Sequence, residues 1–360
     1  MKLSKATLFT LFTLFTFIAA AQKVENIIII TTDGLRWQEL FGGMDSAIAN
    51  NAKYNQGDSS LLFEKYWAAT AQERRKKLLP FLWSTIQQNG QLHGNRTIGN
   101  KVDVANPYWF SYPGYSEIFT GYVDTLVNSN EYKANPNTTL LEFLNKQNSF
   151  KNKVAAFGAW NAFNRILNEE RSGITVINAF EKSPLKNNNA ILLNKVLEDS
   201  YKPFGEAECL DVFTHYAAMD YLKIKKPKAL YISYGETDEW AHSGQYRDYL
   251  NAANQVDKWI ESIWNYIQST PQYKNKTALF ITTDHGRGDS IKKEWTSHNN
   301  KIVGANEIWF AVMAPGIQTK GEVKTNTQLY QKQFAQTMAN LLGLTFTCEH
   351  PVGEKINLNE

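Results

Sequence analysis

Runs of β-branched and aromatic residues at 26–32, 153–158, 174–178, 228–234, 277–283 and 307–313 alternate along the chain with longer segments of helical periodicity. The helical segments fall at 61–78, 80–89, 138–148, 208–223, 245–268 and 328–342. This alternation constrains the fold more than any other feature, because strands separated by helices pair in parallel and the helices must cover the sheet. It predicts an α/β/α sandwich with a mostly parallel central sheet and helices on both faces. Neither an internal repeat nor a low-complexity segment interrupts it after residue 21.

Several of the strand-like runs end in acidic or histidine residues. Asp33 closes NIIIITT, Asp238 and His242 follow KALYISYGET, Asp284 and His285 follow TALFITT, and His298 comes soon after in EWTSHNN. Side chains just beyond the carboxyl ends of strands in an open α/β sheet converge on one crevice, so residues distant in sequence become neighbours there. Taken singly, each has a plainer reading. A lone strand-end Asp33 serves equally well as a helix cap, and a lone His298 reads as a surface histidine. Asp238 and His242, four apart, share one side of a helical turn, and Gly286 permits a tight exit after the Asp284–His285 pair. Together they sort into an Asp238, His242, His298 set and an Asp33, Asp284, His285 set. Carboxylate and imidazole ligands without thiolate suit zinc and, less selectively, manganese or iron, and three protein ligands per ion leave positions open for substrate.

A hydroxyl nucleophile is offered by Ser111 in NPYWFSYPGYSEIFTGY, where Pro113 and Gly114 enforce a turn at the start of a helix. The positive end of the helix favours an alkoxide or a bound phosphate beside Ser111. Without the acidic and histidine residues, Ser111 would be an ordinary N-cap. Ser116 and Thr120 fall inside the helix and are less suited. Of the nearby cations Arg165 is the best placed for a terminal phosphate, with a surface helix position as its plainer reading. The aromatics Trp37, Tyr108, Trp109, Tyr112 and Trp240 suit either packing or stacking on a leaving group.

Residues 1–21 read as a secretory signal, with Lys2 and Lys5, the apolar stretch LFTLFTLFTFIAA and a small-residue end at Ala19–Ala21. The stretch is short for a membrane span and no later segment approaches one. The expected mature chain, 22–360, is a single catalytic domain, periplasmic or secreted, without a membrane anchor. Losing Lys2 and Lys5 lowers the formal charge from +3 to about +1, which excludes nucleic-acid binding by bulk charge. Cys209 and Cys348 suit either a disulfide or two buried thiols. Segments 41–104 and 161–204 break the strand–helix rhythm and read as cap or insert segments over the strand ends. Within the first, Glu73, Arg74, Arg75, Lys76 and Lys77 read as a solvated helix face.

The ordered set of a strand-end Asp, a serine before a Pro-containing turn, a D-x-x-x-H segment, a DHG segment and a later His resembles the alkaline phosphatase superfamily, particularly its phosphodiesterase/nucleotide pyrophosphatase branch. The resemblance spans Asp33 to His298. It implies two zinc ions, one on Asp238, His242 and His298 and one on Asp33, Asp284 and His285, with Ser111 as the covalent nucleophile of a hydrolase acting on a small-molecule phosphate ester. Diesterases of that branch place an Asn some twenty residues after the nucleophile, which makes Asn128 and Asn130 candidates for holding a nonbridging oxygen. Sulfatases share the layout but need C/S-x-P-x-R, and here Tyr115 stands where Arg is required. A phosphoryl transferase to an envelope acceptor and a catalytically inactive ligand-binding relative are the remaining alternatives.

Overall fold

The computed structural model describes residues 23–289 and 292–360. The expected signal segment 1–21 lies outside the described residues. Eleven strands form among them: β1 (Asn26–Thr32), β2 (Gln91–His93), β3 (Asn100–Asp103), β4 (Val154–Gly158), β5 (Thr175–Asn178), β6 (Ala229–Tyr234), β7 (Thr277–Thr282), β8 (Glu307–Ile308), β9 (Phe310–Met313), β10 (Gly321–Glu322) and β11 (Thr327–Tyr330). Eight of them make the main sheet in the order β10-β2-β9-β7-β1-β6-β4-β5, and β11-β3-β8 make a small second sheet. From β7 to β5 every pairing is parallel, and β9 runs antiparallel between β7 and β2.

β1 sits at the centre of the sheet and all seven of its residues are buried. Because successive side chains of a strand point to opposite faces, Ile28 and Ile30 join one core with Leu230, Ile232, Leu279 and Ile281. Ile27 and Ile29 join the other with Tyr231 and Phe280. The first core is covered by the long helix Tyr246–Ser269, which buries Leu250, Val256, Ile260, Ile263 and Ile267. The second is covered by the helices Ser111–Thr120 and Phe334–Leu341. This is the expected three-layer α/β architecture.

Several boundaries differ from the sequence expectation for identifiable reasons. The helix expected over 61–78 is two helices, Ser59–Tyr66 and Ala71–Leu78. Thr70 starts the second with a capping box in which its hydroxyl accepts from Glu73 N–H and the Glu73 carboxylate accepts from Thr70 N–H. The expected 307–313 strand is split at Trp309, whose indole N–H donates to Leu35 O at 2.8 Å. The 328–342 segment begins as β11, with the helix confined to Phe334–Leu341. Segment 41–104 is only partly an insert, because it also supplies β2 to the main sheet. The basic run is not a uniformly solvated face: Arg75 is buried, pairs with Glu322 at 3.0 Å and lies over the Trp83 ring. Cys209 and Cys348 are both unpaired thiols.

The long helix is tied to the inserted segment through Asp257, a buried carboxylate that accepts from Phe81 N–H at 2.7 Å and Leu82 N–H at 2.9 Å. Asp257→Ala removes the acceptor from two buried donors and is expected to lower stability by about 2–3 kcal/mol. The check is a urea unfolding curve, where an unchanged midpoint would show that these N–H groups find other partners.

Candidate metal centre

The three central parallel strands, β7, β1 and β6, end side by side, and each chain exit carries acid. Asp33 follows β1 directly, and Asp284–His285 follow β7 after Thr283. β6 runs through Gly235 into the helix Glu236–His242, which places Asp238 and His242 one turn apart. The exit after β1 turns at Gly34, whose φ of +59° lies in the left-handed region. A Cβ there would lie 2.5 Å from Asp238 Oδ1 and 2.9 Å from Arg287 Nε, so only glycine lets the β1 exit press against the Asp238 helix.

The expected ligands converge. Asp33, Asp284 and His285 form one group, each offering a ligand atom within 4.8 Å of the others. His285 Nε2 is 3.3 Å from Asp33 Oδ1 and 3.4 Å from Asp284 Oδ2. Asp238, His285 and His298 form a second such group. His242 joins it at the rim, with Nε2 3.0 Å from Asp238 Oδ2 and 2.9 Å from His298 Nε2. His285 therefore stands between the two expected sets. Its ring stacks on His298 at 3.8 Å between centroids.

Neighbouring groups fix which nitrogens face inward. His285 Nδ1 lies 3.0 Å from Gly286 O and His298 Nδ1 lies 3.3 Å from Trp109 O. A proton held at each Nδ1 leaves both Nε2 lone pairs toward the carboxylates, the tautomer a metal ligand needs. The fit to cations rests on what these atoms lack. Asp33 Oδ1 and Asp284 Oδ2 are buried without a hydrogen-bond partner among the described residues, and buried polar atoms are rarely left so.

Electrostatics point the same way. Burial, with the charge of Asp238 next, pushes Asp33 well above the usual carboxylate range, against the pull of the Tyr115 hydroxyl and Arg287. Burial and then Asp33 push Asp284 up likewise. Burial also acts to raise Asp238, yet Arg287, followed by His242 and His298, holds it well below that range. His298 is depressed by burial and then by His285. Outside these residues the buried Glu208 is raised by burial and then by the charge of Glu239. Anions crowded in this way are relieved by bound dications, which reverse the local preference for protonation.

Ser111 opens the helix Ser111–Thr120, and its Oγ lies 3.3 Å from His285 Nε2. The helix approaches closely because Gly114 has no side chain, since a Cβ there would overlap the carbonyl of Asp284. Ser116 and Thr120 are inside the helix, as expected. Asn130 is brought to the helix start, where its Oδ1 accepts from Tyr112 N–H at 2.9 Å, whereas Asn128 is exposed. Arg165 donates to Tyr132 O at 2.7 Å and to Asn130 O at 3.4 Å. Its hydrogen bonds thus hold the loop that carries Asn130. Two contacts escaped the sequence reading. Tyr115 donates to Asp33 Oδ2 at 2.9 Å. Arg287, fully buried, donates to the Asp238 carboxylate and, at 3.0 Å, to its carbonyl. Its place two residues beyond His285 was the available signal.

Arg287→Ala leaves Asp238 buried without its guanidinium partner. The expected loss is about 3 kcal/mol or more, read as an earlier urea midpoint, with weaker retention of zinc on dialysis. A midpoint equal to that of the parent would show that Asp238 is neutralised by other groups.

Comparison with known proteins agrees with this geometry. The model of the Metalloenzyme superfamily matches residues 84–345. A search of curated proteins finds no match. Among solved structures, wild-type alkaline phosphatase PafA superposes with a TM-score of 0.59 at 12% identity, covering 94% of this chain and 99% of that one. The lipoteichoic acid synthase LtaP from Listeria monocytogenes gives 0.55 at 14%, covering 90% and 73%. A 2-O GAG sulfatase gives 0.55 at 15%, covering 93% and 73%. At these identities the likeness is one of fold, and the family match extends over well over half of the sequence. This chain belongs to the Metalloenzyme superfamily, the alkaline phosphatase-like enzymes.

Proposed function

We propose that the protein is an exported hydrolase of small-molecule phosphoric esters that works through a covalent phosphoserine on Ser111, with zinc as the preferred metal. The observation that carries this reading is the position of Ser111 Oγ, buried at a helix start and 3.3 Å from His285 Nε2, the imidazole shared by both clusters. Asp33, Asp284 and His285 would hold one ion and Asp238, His242 and His298 the other. Bound dications supply charge neutralisation for phosphoryl oxygens and favour the ionised form of a nearby hydroxyl.

The chain's own groups do the rest. Ser111 Oγ attacks phosphorus, forming an O–P bond as the bond to the leaving oxygen breaks, and water then hydrolyses the phosphoserine to regenerate the hydroxyl. The positive end of the Ser111–Thr120 helix favours the anion. Tyr112 N–H is already taken by Asn130, and Pro113 has none, so the helix start contributes its dipole more than a row of donors. Asn130, held by this bond and by Arg165, is our candidate for a nonbridging phosphoryl oxygen. Asn128, being exposed, is the weaker of the two.

Phosphoryl rather than sulfuryl transfer is favoured by Tyr115. It occupies the position where the sulfatase motif has Arg, and its hydroxyl is committed to Asp33. Export rests on the 1–21 segment; among the described residues no helix is long and apolar enough to cross a membrane. A mature N-terminus near residue 22 would agree with it, and retention of the leader on protein recovered from the cytoplasm would oppose it.

Three measurements test the reading. The zinc-loaded protein should hydrolyse an aryl phosphate monoester or diester with kcat/KM exceeding that for the aryl sulfate by about a hundredfold or more; the reverse order would make it a sulfatase. Ser111→Ala should abolish turnover with zinc content retained, and undiminished hydrolysis would move the nucleophile elsewhere. Because Arg165 holds the Asn130 loop, Arg165→Ala should lower kcat/KM for monoester and diester by similar factors. A loss confined to the monoester would instead mean that the guanidinium meets the terminal phosphate.

A further inference from the structure

The helix Glu236–His242 has two working sides. Asp238 and His242 look into the metal centre, while Glu236 and Trp240, also four residues apart, line a separate cleft of about 580 Å³ bounded by the long helix Tyr246–Ser269. None of the six ligand residues lines this cleft.

Part of the lining is aromatic and fixed. Trp259 stacks on His215 at 4.8 Å and on Tyr234 at 5.4 Å between centroids. His215 and Tyr234 are only 6.3 Å apart, so both lie on the same face of the indole; a sandwich would separate them by the sum of the two stacking distances. His215 Nδ1 and the Tyr234 hydroxyl, 3.0 Å apart, lock the stack. Trp259 itself lines the cleft. Trp240 is braced by Phe204, edge to face at 4.8 Å, and by its own N–H to Glu236 at 3.1 Å. Tyr216, 55% exposed, completes the aromatic edge.

The lining is also polar and carries both signs of charge, with Asn251 and Gln255 preceding Trp259 at four-residue intervals on one face of the long helix. Asn251 Oδ1 accepts from Lys65 Nζ at 2.6 Å and from the Tyr66 hydroxyl at 2.7 Å, which fixes the amide and leaves its N–H₂ group without a partner among the described residues. Gln255 and Lys258 are exposed along the same side. Asp248, Glu236 and Asp211 place carboxylates there as well. Rigid aromatic faces suit a ligand with a flat apolar side, and interleaved amides, lysines and carboxylates suit one with many hydroxyls, each both donor and acceptor. The three carboxylates weigh against an anionic aromatic such as a nucleotide.

We propose that this cleft binds a neutral oligosaccharide, with the apolar face of a pyranose ring on Trp259 and its hydroxyls on Asn251 and Gln255, at a site separate from the metal centre. Binding here would be independent of the chemistry at the metals. The test titrates the zinc-loaded protein with cellohexaose, xylohexaose, mannohexaose and maltohexaose, reading tryptophan fluorescence and calorimetric heat. At least one should bind with a Kd below about 1 mM, and Tyr216→Ala and Gln255→Ala should each weaken it by about tenfold. Both positions are exposed, so the variants should melt with the parent; Trp259→Ala should abolish binding. The proposal is overturned if none of the four binds at concentrations on the order of 10 mM, if binding survives both exposed substitutions, or if adenosine monophosphate binds this cleft more tightly than every sugar.

Discussion

Asp33, Asp238 and Asp284 are buried against one another at the carboxyl ends of the central strands, an arrangement that is unfavourable unless positive charge stands among them. Much of the local structure is a response to that crowding. Arg287 is drawn into the interior to meet Asp238, the Tyr115 hydroxyl is turned onto Asp33, and Gly34 N–H donates to Asp284 at 3.2 Å. These contacts still leave one oxygen each of Asp33 and Asp284 without a donor. Those two oxygens, with the imidazole nitrogens beside them, are the strongest structural reason to assign cations to the site.

The sheet makes the crowding achievable. Three adjacent parallel strands, each buried along its whole length, deliver their carboxyl ends to one place, and the packed layers above and below prevent the exits from drifting apart. Gly34 and Gly114 remove side chains at two points of closest approach, letting the β1 exit meet the Asp238 helix and the Ser111 helix meet the Asp284 loop. The site is therefore set by backbone packing before any ligand is considered.

How far the sequence revealed this depended on burial. β1 was legible residue for residue because a fully buried parallel strand reads as one apolar run, and the metal-ligand candidates were legible because they close such runs. β2, β3 and β10 are two to four residues long and carry too little pattern to register. The break between the helices at Thr70 was written in the Thr70 and Glu73 pair but hidden by apolar periodicity on both sides. Arg165 and Arg287 show the opposite limit. In sequence Arg165 reads as a surface helix position and Arg287 as a residue after the DHG segment, and only the fold distinguishes one that holds a carbonyl loop from one buried against the Asp238 carboxylate. Tyr115 was noted for the Arg it displaces, while its bond to Asp33 depends on a helix crossing that no spacing reveals.

The central claim is that these buried acids and imidazoles cage a pair of divalent cations beside Ser111. The most direct measurement is anomalous diffraction from zinc-soaked crystals, recorded on both sides of the zinc absorption edge. The account predicts two peaks, one among Asp33, Asp284 and His285 and one among Asp238, His242 and His298. A map with no edge-dependent peak at either position, from crystals that bind zinc elsewhere, would contradict it.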